Sequence, residues 1–435
     1  MKAAFYTLGC KVNQAESEYM AELLQKAGFE IVNPNDEADY YIVNSCTVTA
    51  TADQKTRQSV RRFKRKHPNS TVILTGCMPQ AFPKDAEKLE QADIVLGNKN
   101  NNDILDLINK HAAQKNRIIC LSEHQNGEKF ALCSVSAFGG RVRAFVKIED
   151  GCDRFCSYCI IPKSRGRVRS KPLEDLKQEV TDLAANGIKE VVLVGINLSA
   201  YGKGTDFNIA DAVETCAGVD GISRIRLGSL EPDHITDSII SRLSTVHKFC
   251  PQFHISLQSG CNKTLKNMNR HYTAEEYEEL CNKLRTSFKD CSLTTDVMVG
   301  FHEETEQDFE ESLAFVKRIS FEKVHVFPYS ERTGTAASKR GDSVSKQEKD
   351  RRASVMIAET EKIRQNYLES QIGRKVQLLV EGRVNSKYLR GYTKNYLPVL
   401  LISAQDLTGC ETDCIIQSVK SDECIANLGF VKKSV

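Results

Sequence analysis

Short apolar strands alternate with helical segments along most of this chain, and this alternation limits the folds that it can adopt. The runs AAFYTL, DYYIVN and TVILTG predict the first three strands, and residues 16–27 and 52–66 predict the helices between them. Strands that are joined by helical crossovers lie parallel, with right-handed connections. The amino-terminal part is therefore predicted to be a Rossmann-like, three-layer α/β domain.

A cysteine follows each of these strands: Cys10, Cys46 and Cys77, which we call the first triplet. Because the carboxyl ends of parallel strands share one edge of a sheet, these cysteines are expected to converge. Three thiolates are one ligand short of the closed tetrahedron of a structural zinc site. Three buried cysteines without a metal are the alternative.

The middle of the chain repeats the alternation about six times. The candidate strands are residues 144–148, 191–195, 224–230, 253–257, 293–299 and 323–327, with helical patterns near 173–186, 209–217, 234–244, 274–288 and 304–319. Such a succession predicts a partial TIM-type (β/α)6 barrel, whose chemistry lies at the carboxyl ends of the strands.

A second triplet, Cys152, Cys156 and Cys159, follows the first of these strands in the stretch GCDRFCSYCIIP. A structural zinc site is closed by four protein ligands, whereas an iron–sulfur cluster can leave one iron without a cysteine. That open iron can chelate a substrate. The spacing therefore favours a cluster, although chance neighbours or a zinc site closed by a distant ligand would share it.

The last part of the chain changes to short β-like runs such as VQLLVEG, YLPVLLI and CIIQSV, which predict a small all-β barrel. Its basic and aromatic residues suit contact with a nucleic-acid backbone and stacking on bases, although a solvated charged surface would look similar. These residues are Arg374, Lys375, Arg383, Lys387, Arg390, Lys394, Tyr388, Tyr392 and Tyr396.

The net charge is only +3, but the cations are clustered. The segment from Lys55 to Lys66 carries many cations and no acid, and a second basic segment follows the second triplet. A basic helix is often a solvated face, but a polyanion that crosses the active-site mouth would explain both segments. The cations of the second segment are Lys163, Arg165, Arg167, Arg169 and Lys171.

The cysteine content indicates the compartment. Sixteen cysteines without a charged-then-apolar leader point to a reducing environment, where thiols serve metals and clusters. No apolar run is long enough to span a bilayer. We therefore expect a cytoplasmic chain without a membrane partner.

Together these motifs resemble those of the radical S-adenosylmethionine methylthiotransferases, over essentially the full chain. Within that family, TLGCKVNQ, CIIPKSRGRVRS and LQSGCNKTLKNMNRHYT are most similar to the tRNA threonylcarbamoyladenosine methylthiotransferases. The resemblance implies a methylthiotransferase domain in residues 1–125, a radical domain in residues 138–368 and an RNA-binding TRAM barrel in residues 369–435.

The resemblance also implies the cofactors and the partners. Both triplets would hold 4Fe–4S clusters: the second cleaves S-adenosyl-L-methionine to a radical, and the first presents the sulfur that S-adenosyl-L-methionine methylates. The methylthio group would reach carbon 2 of N6-threonylcarbamoyladenosine at position 37, in the anticodon loop of tRNA. An electron donor such as flavodoxin or ferredoxin would reduce the clusters of a monomer.

Polar and glycine residues at the strand ends of the predicted barrel are candidate contacts for S-adenosylmethionine. They are Gly195, Asn197, Ser229, Glu231, Gln258 and Asp296, with Tyr158 supporting the adenine face. A polar residue at a strand end more often caps the next helix, and Tyr158 can instead pack against the barrel rim.

Other interpretations remain open. Within the same chemistry, the substrate can be isopentenyladenosine of tRNA or an aspartate of a small-subunit ribosomal protein. From a different class, the chain can be a non-catalytic RNA-binding protein with structural metals. The family usually reads GFPGET after the fifth strand, whereas His302 and Glu303 replace the proline and the second glycine here, so the shape of that loop is in question.

Overall fold

The computed structural model describes residues 1–136 and 141–429. The predicted start of the radical domain at residue 138 and the predicted end of the TRAM barrel at residue 435 lie outside the described residues. None of the helices in these two stretches combines the length and the apolar character that crossing a membrane requires.

The amino-terminal unit is a parallel sheet with helices on both faces. The strand order is β2-β1-β3-β4-β5-β6. Met20 and Ile104 pack against one face, and Val60 and Phe63 against the other, which confirms the three-layer prediction. The elements are β1 (Lys2–Thr7), α1 (Lys11–Lys26), β2 (Glu30–Val32), β3 (Tyr40–Ser45), α2 (Ala50–Lys66), β4 (Thr71–Gly76), α3 (Cys77–Ala81), α4 (Pro83–Glu87), β5 (Ile94–Leu96), α5 (Ile104–Gln114) and β6 (Ile118–Cys120).

Helix α1 begins at Lys11, earlier than the predicted residue 16. Val12 and Asn13 in its first turn are buried, and Val12 packs against Val192 and Val194 of the second unit. Cys10 occupies the N-cap position without a side-chain capping bond. Since the partners of this turn are distant in sequence, no local capping signal marks its start.

The second unit contains the six predicted β/α units. Seven of its strands lie parallel, in the order β7-β10-β11 followed by β12-β13-β14-β15. The other two, β8 and β9, form a short antiparallel pair. The elements are β7 (Arg143–Lys147), β8 (Glu149–Asp150), α6 (Ile161–Arg165), β9 (Arg169–Ser170), α7 (Leu173–Ala185), β10 (Glu190–Val194), α8 (Ile209–Ala217), β11 (Arg224–Leu227), β12 (Ser229–Leu230), α9 (Asp237–Thr245), β13 (Gln252–Ile255), α10 (Asn262–Asn267), α11 (Ala274–Ser287), β14 (Ser292–Val299), α12 (Glu306–Ile319), β15 (Lys323–Pro328) and α13 (Lys346–Glu369).

The predicted third strand of this unit, residues 224–230, is interrupted at Gly228. Strand β11 pairs with β10 before the break, and β12 pairs with β13 after it. The Gly228 N–H donates to the carbonyl of Leu193 at 2.8 Å, and a bridge joins Ile225 to Phe249. Both halves thus occupy one strand position, and the partial barrel keeps the six positions that the sequence predicts.

The carboxyl-terminal unit is a closed five-stranded barrel in the order β16-β17-β18-β20-β19, which confirms the predicted all-β fold. Leu378, Leu389, Val399 and Ile416 lie in its core. The elements are β16 (Lys375–Arg383), β17 (Tyr388–Thr393), β18 (Pro398–Ile402), β19 (Glu411–Lys420) and β20 (Glu423–Leu428).

Two of the three tyrosines that suggested base stacking are used to dock this barrel. The rings of Tyr392 and Tyr396 stack on each other at 4.6 Å, and the Arg143 guanidinium lies 5.2 and 5.4 Å from their centroids. Arg224 also donates to the carbonyl of Tyr392 at 2.7 Å. Only Tyr388 of the three stands apart from this contact, beside the Lys387 ammonium at 5.2 Å.

Candidate active site

The first triplet lies at the carboxyl edge of the amino-terminal sheet, after three neighbouring strands. Cys10 is exposed after β1, Cys46 is half-buried after β3, and Cys77 is buried at the start of α3. Burial and the nearby Cys77 thiol raise the pKa of Cys46 to about 12. Binding to a metal removes the proton from such a thiol. The three cysteines thus follow neighbouring strands of the sheet, and their joint role as ligands stays a prediction.

Side-chain amides and a glycine hold the turns of the first triplet together. Cys10 Sγ donates to Asn13 Oδ1 at 3.2 Å, and Asn13 Nδ2 donates to Asn44 Oδ1 at 3.0 Å and to the Ser45 carbonyl at 3.1 Å. Gly76 has a φ of +95°, and a Cβ there would collide with the backbone of Ser45. Glycine therefore lets the turn before the third cysteine press against the turn before the second.

The second triplet lies in the loop that follows β8. The Cys152 N–H donates to the Gly166 carbonyl at 3.0 Å, and the Cys159 N–H donates to the Cys156 carbonyl at 3.0 Å. Arg270 Nη1 donates to Cys156 Sγ at 3.4 Å. Burial and the neighbouring Cys156 raise the pKa of Cys159 to about 12. The loop thus gathers three thiols next to a fixed guanidinium.

A buried charge network, which we call the interdomain network, joins the regions of the two triplets. Lys147 Nζ lies 2.7 Å from Glu16 and 2.8 Å from Asp150, and Arg165 Nη2 donates to Glu16 Oε2 at 3.0 Å. Arg169 Nη2 lies 3.3 Å from Asp150. Glu16 belongs to α1, and the other members belong to the second unit. Helix α3, which begins at the last cysteine of the first triplet, also packs against α6, which follows the second triplet.

The basic segment after the second triplet is more buried than a polyanion-binding segment would be. Arg165, Arg169 and Lys171 are buried, and Lys171 pairs with Glu179. Lys163 and Arg167 are exposed. Buried carboxylates also pair with the other two buried cations, Glu16 with Arg165 and Asp150 with Arg169. The expectation of a solvent-facing basic segment is therefore wrong for three of its five cations.

Gly195 and Asn197 lie at the end of β10 against a buried carboxyl group. The Asn197 N–H donates to Glu149 Oε2 at 2.7 Å, and a Cβ on Gly195 would lie 2.6 Å from the same oxygen. Burial raises the pKa of Glu149 well above its usual value. Glu149 Oε1 and Asn197 Oδ1 have no hydrogen-bond partner among the described residues. Buried polar atoms without partners are rare, so these atoms suit a ligand that supplies donors.

Glu231 lies near the second triplet, whereas Ser229 is exposed on β12. Arg270 pairs with the Glu231 carboxylate and also contacts the sulfur of Cys156. Glu231 is therefore linked to the second triplet through the Arg270 side chain. Gln258 has a φ of +69°, and its buried Oε1 lacks a partner within the described chain.

Asp296 and Tyr158 already have partners within the protein. Asp296 Oδ2 lies 3.1 Å from His254 Nε2, and this pair faces His325 across the inner side of the sheet. The Tyr158 ring contacts Phe301 edge to face at 6.2 Å. The packing interpretation of Tyr158 is therefore observed, and its contact with adenine stays a prediction.

The loop that departs from the family pattern keeps a defined shape. Glu303 adopts a φ of +62°, the left-handed conformation that favours glycine, and its N–H donates to Ser343 Oγ at 2.7 Å. Glu304 accepts from the Gly300 N–H at 2.9 Å and pairs with Arg352 at 2.9 Å. These contacts hold the loop although Glu303 stands where glycine would fit without strain.

Sequence reasoning missed three residues of this region: Glu149, Arg270 and Lys11. Arg270 lies within the quoted stretch LQSGCNKTLKNMNRHYT, and Lys11 lies within TLGCKVNQ, but neither has a spacing that marks it. Burial, with Arg143 and Arg226 nearby, lowers the pKa of Lys11 to about 8. Only the folded contacts reveal that these side chains surround the triplets.

Two family models match the chain, and each covers one cysteine triplet. Residues 2–97 match the uncharacterized protein family UPF0004, and residues 146–316 match the radical SAM superfamily.

Relatives align with nearly the whole chain. A threonylcarbamoyladenosine tRNA methylthiotransferase of Thermotoga maritima is 38% identical over 392 residues, which cover 90% of this chain and 89% of that protein. The Bacillus subtilis protein of the same name is 36% identical, covering 93% and 91%. A tRNA-2-methylthio-N(6)-dimethylallyladenosine synthase of Clostridium novyi is 36% identical, covering 86% and 84%.

The fold is also similar to a solved structure. The radical S-adenosylmethionine methyltransferase TsrM from Kitasatospora setae superposes with a TM-score of 0.53 at 14% identity, covering 75% of this chain and 74% of that chain. At this identity the likeness concerns the fold alone.

Proposed function

The chain belongs to the radical S-adenosylmethionine methylthiotransferase family, and we propose that it adds a methylthio group to carbon 2 of N6-threonylcarbamoyladenosine at position 37 of tRNA. The observation that supports the proposal is the presence of two triplets of thiols on elements that pack together, since α3 begins at Cys77 and contacts α6, which follows Cys159. Relatives named for this activity match about nine-tenths of the chain.

Two 4Fe–4S clusters fit the two triplets. Cys10, Cys46 and Cys77 would hold the auxiliary cluster, and the second triplet would hold the radical cluster. With S-adenosylmethionine bound, these groups supply a radical that activates a carbon–hydrogen bond and a sulfur that is methylated. No three His, Cys, Asp or Glu side chains of the described ranges lie close enough to hold one metal ion. A cluster keeps its thiolates further apart than one ion does, because iron and sulfide atoms lie between them.

The side chains around the second triplet would orient S-adenosylmethionine. The unpartnered oxygens of Asn197, Gln258 and Glu149 are acceptors for its amino and ribose hydroxyl donors. Arg270 would hold Glu231 and donate to the Cys156 sulfur at once. These assignments, with Gly195, Ser229, Asp296 and Tyr158 at the same rim, are part of the proposal.

The tRNA would lie across exposed cations of the amino-terminal and carboxyl-terminal units. Helix α2 presents exposed Lys55, Arg61 and Lys66, and the closed barrel presents exposed Arg383 and Lys387. Cations on both sides of the site suit a polyanion. We further propose the predicted domain bounds, a cytoplasmic location, action as a monomer, and reduction by a flavodoxin or ferredoxin.

Replacing Gly195 by alanine is expected to weaken S-adenosylmethionine binding roughly tenfold, the cost of moderate overpacking. The added Cβ would lie 2.6 Å from Glu149 Oε2 and 2.8 Å from Glu149 Cβ, and it would displace the carboxyl group that holds Asn197. Equilibrium dialysis of the iron-loaded protein measures the affinity. Gly218→Ala is the control, because its nearest neighbour is 3.5 Å away; equal affinities of the two variants would contradict the assignment.

Mass spectrometry of tRNA nucleosides from a strain that lacks this chain tests the substrate. We expect threonylcarbamoyladenosine to lose its methylthio form completely and to regain it when the intact chain is restored. If this nucleoside is unchanged while methylthio-isopentenyladenosine disappears, the substrate assignment is wrong and the chemistry stands. If both nucleosides are unchanged, the small-subunit ribosomal protein becomes the next substrate to examine.

A further inference from the structure

Lys11 is a half-buried cation whose ammonium group has no partner in the described part of the chain. It is the first residue of α1, whose next residue, Val12, packs against Val192 and Val194 on the inner face of the partial barrel. Within the described residues, no carboxylate lies within ion-pair distance of Lys11 Nζ, and no acceptor lies within hydrogen-bond distance. The fully buried lysines, Lys147, Lys171 and Lys349, are all paired with carboxylates.

The charges around Lys11 do not neutralise it. Arg143 and Arg226 are close enough to repel its ammonium group electrostatically, and Glu190 is the nearby carboxylate. Glu190, however, is held by Arg226 at 3.0 Å and lies 3.8 Å from Arg143. Arg143 also pairs with Glu381 at 3.2 Å. Lys11, Arg143 and Arg226 thus share two carboxylates, those of Glu190 and Glu381. Both carboxylates are already paired with the arginines, so the unbalanced positive charge lies at Lys11.

The inner face beside Lys11 is polar, unlike the inside of a packed parallel barrel. Parallel strands normally carry apolar residues on both faces. Here His254, Thr294, Asp296 and His325 line neighbouring strands, with His325 exposed. Asp296 pairs with His254, so it does not serve as the partner of Lys11. A polar, water-accessible face with one unpaired cation suits a ligand that carries an anionic group.

We propose that Lys11 binds the free carboxylate of the threonyl group of the substrate nucleoside. The inference rests on the proposed function and names the residue that recognises its substrate. Threonine joins the carbamoyl group through its amine and keeps its carboxylate, whereas an isopentenyl group has no charge. Lys11 follows Cys10 directly, so a base whose carbon 2 faces the first triplet can bring its N6 substituent within reach of this cation.

Binding of two matched RNAs tests the role of Lys11. One anticodon stem-loop carries threonylcarbamoyladenosine, and the other carries the same nucleoside with the carboxylate converted to a carboxamide. Fluorescence anisotropy is measured on the iron-loaded enzyme with S-adenosylmethionine. We expect the wild type to bind the carboxylate RNA roughly tenfold more tightly, as a charge-assisted hydrogen bond predicts. Lys11→Met is expected to remove that preference by weakening only the carboxylate RNA, and Lys11→Arg to retain part of it.

The controls separate this role from the alternatives. Lys26→Met removes an exposed lysine from the other end of α1 and is expected to change nothing. Iron content is measured for each variant, because Lys11 adjoins Cys10. If Lys11→Met loses iron, the role of Lys11 is judged from the other two proteins. The affinities of the wild type and of Lys11→Arg for the two RNAs are then compared.

Three outcomes would overturn the inference or its premise. Equal affinity of the wild type for both RNAs overturns the inference, and so does an equal loss for both RNAs in Lys11→Met, which indicates attraction to the RNA backbone alone. A third stem-loop carries unmodified adenosine; if the wild type binds it as tightly as the threonylcarbamoyladenosine RNA, the proposed substrate itself fails.

Discussion

Cys156→Ala and Cys77→Ala are expected to stop the reaction at different stages. Cys156→Ala should abolish formation of 5′-deoxyadenosine, because Cys156 belongs to the triplet that would hold the radical cluster. Cys77→Ala should preserve formation of 5′-deoxyadenosine but abolish transfer of the methylthio group. Each variant should bind about four irons, against about eight in the wild type. Chromatography of the products and iron analysis of the same samples measure these effects.

A cysteine outside both triplets provides the matched control. Cys120 is half-buried at the end of β6, and Cys120→Ser should keep both products and the full iron content. Loss of 5′-deoxyadenosine in both alanine variants would argue against two separate cluster sites. Zinc in place of iron in the wild type would favour the non-catalytic interpretation instead.

The sequence predicts the fold well where local patterns determine it. Strands β1, β3 and β4 are each a short apolar run, and the parallel order that follows from helical crossovers places Cys10, Cys46 and Cys77 at one edge. The first turn of α1 and the break at Gly228 were not predictable in this way. Both depend on partners in other units or other strands, which the local sequence does not show.

The site is predicted less completely than the fold, for the same reason. Gly195 and Asn197 lie at the predicted strand end, but the carboxyl group that they contact belongs to Glu149, on another strand. Ser229 follows the same positional rule, yet it is exposed because the strand pairing changes just before it. Position along a strand thus identifies candidates, and only packing between strands decides which of them face the ligand.

Replacing Arg165 by methionine is expected to destabilise the folded chain by about 3–5 kcal/mol, the usual effect of removing one partner of a buried ion pair. Arg165 is fully buried, and it pairs with Glu16 across the boundary between the first two units. Burial opposes ionisation of Glu16, but Arg165 and Lys147 hold its pKa below the usual value. The midpoint of urea unfolding, at equal iron content, measures the loss.

Arg167→Met is the matched control, because it removes the same group two residues away on the surface. Arg167 lies 3.4 Å from Asp153 with its side chain 53% exposed, and exposed pairs contribute about 0–1 kcal/mol to stability.

The pH dependence of the free energy of unfolding separates the effect of the Arg165 charge from the effect of its packing. Since the pKa of Glu16 is lowered by folding, the pair stabilises the chain above the unfolded pKa, and that contribution is lost as the pH falls below about 4. The difference between Arg165→Met and the wild type should therefore shrink on acidification, whereas a loss caused by packing alone would persist. A pH-independent difference would show that Arg165 holds the two units together by shape and not by its charge.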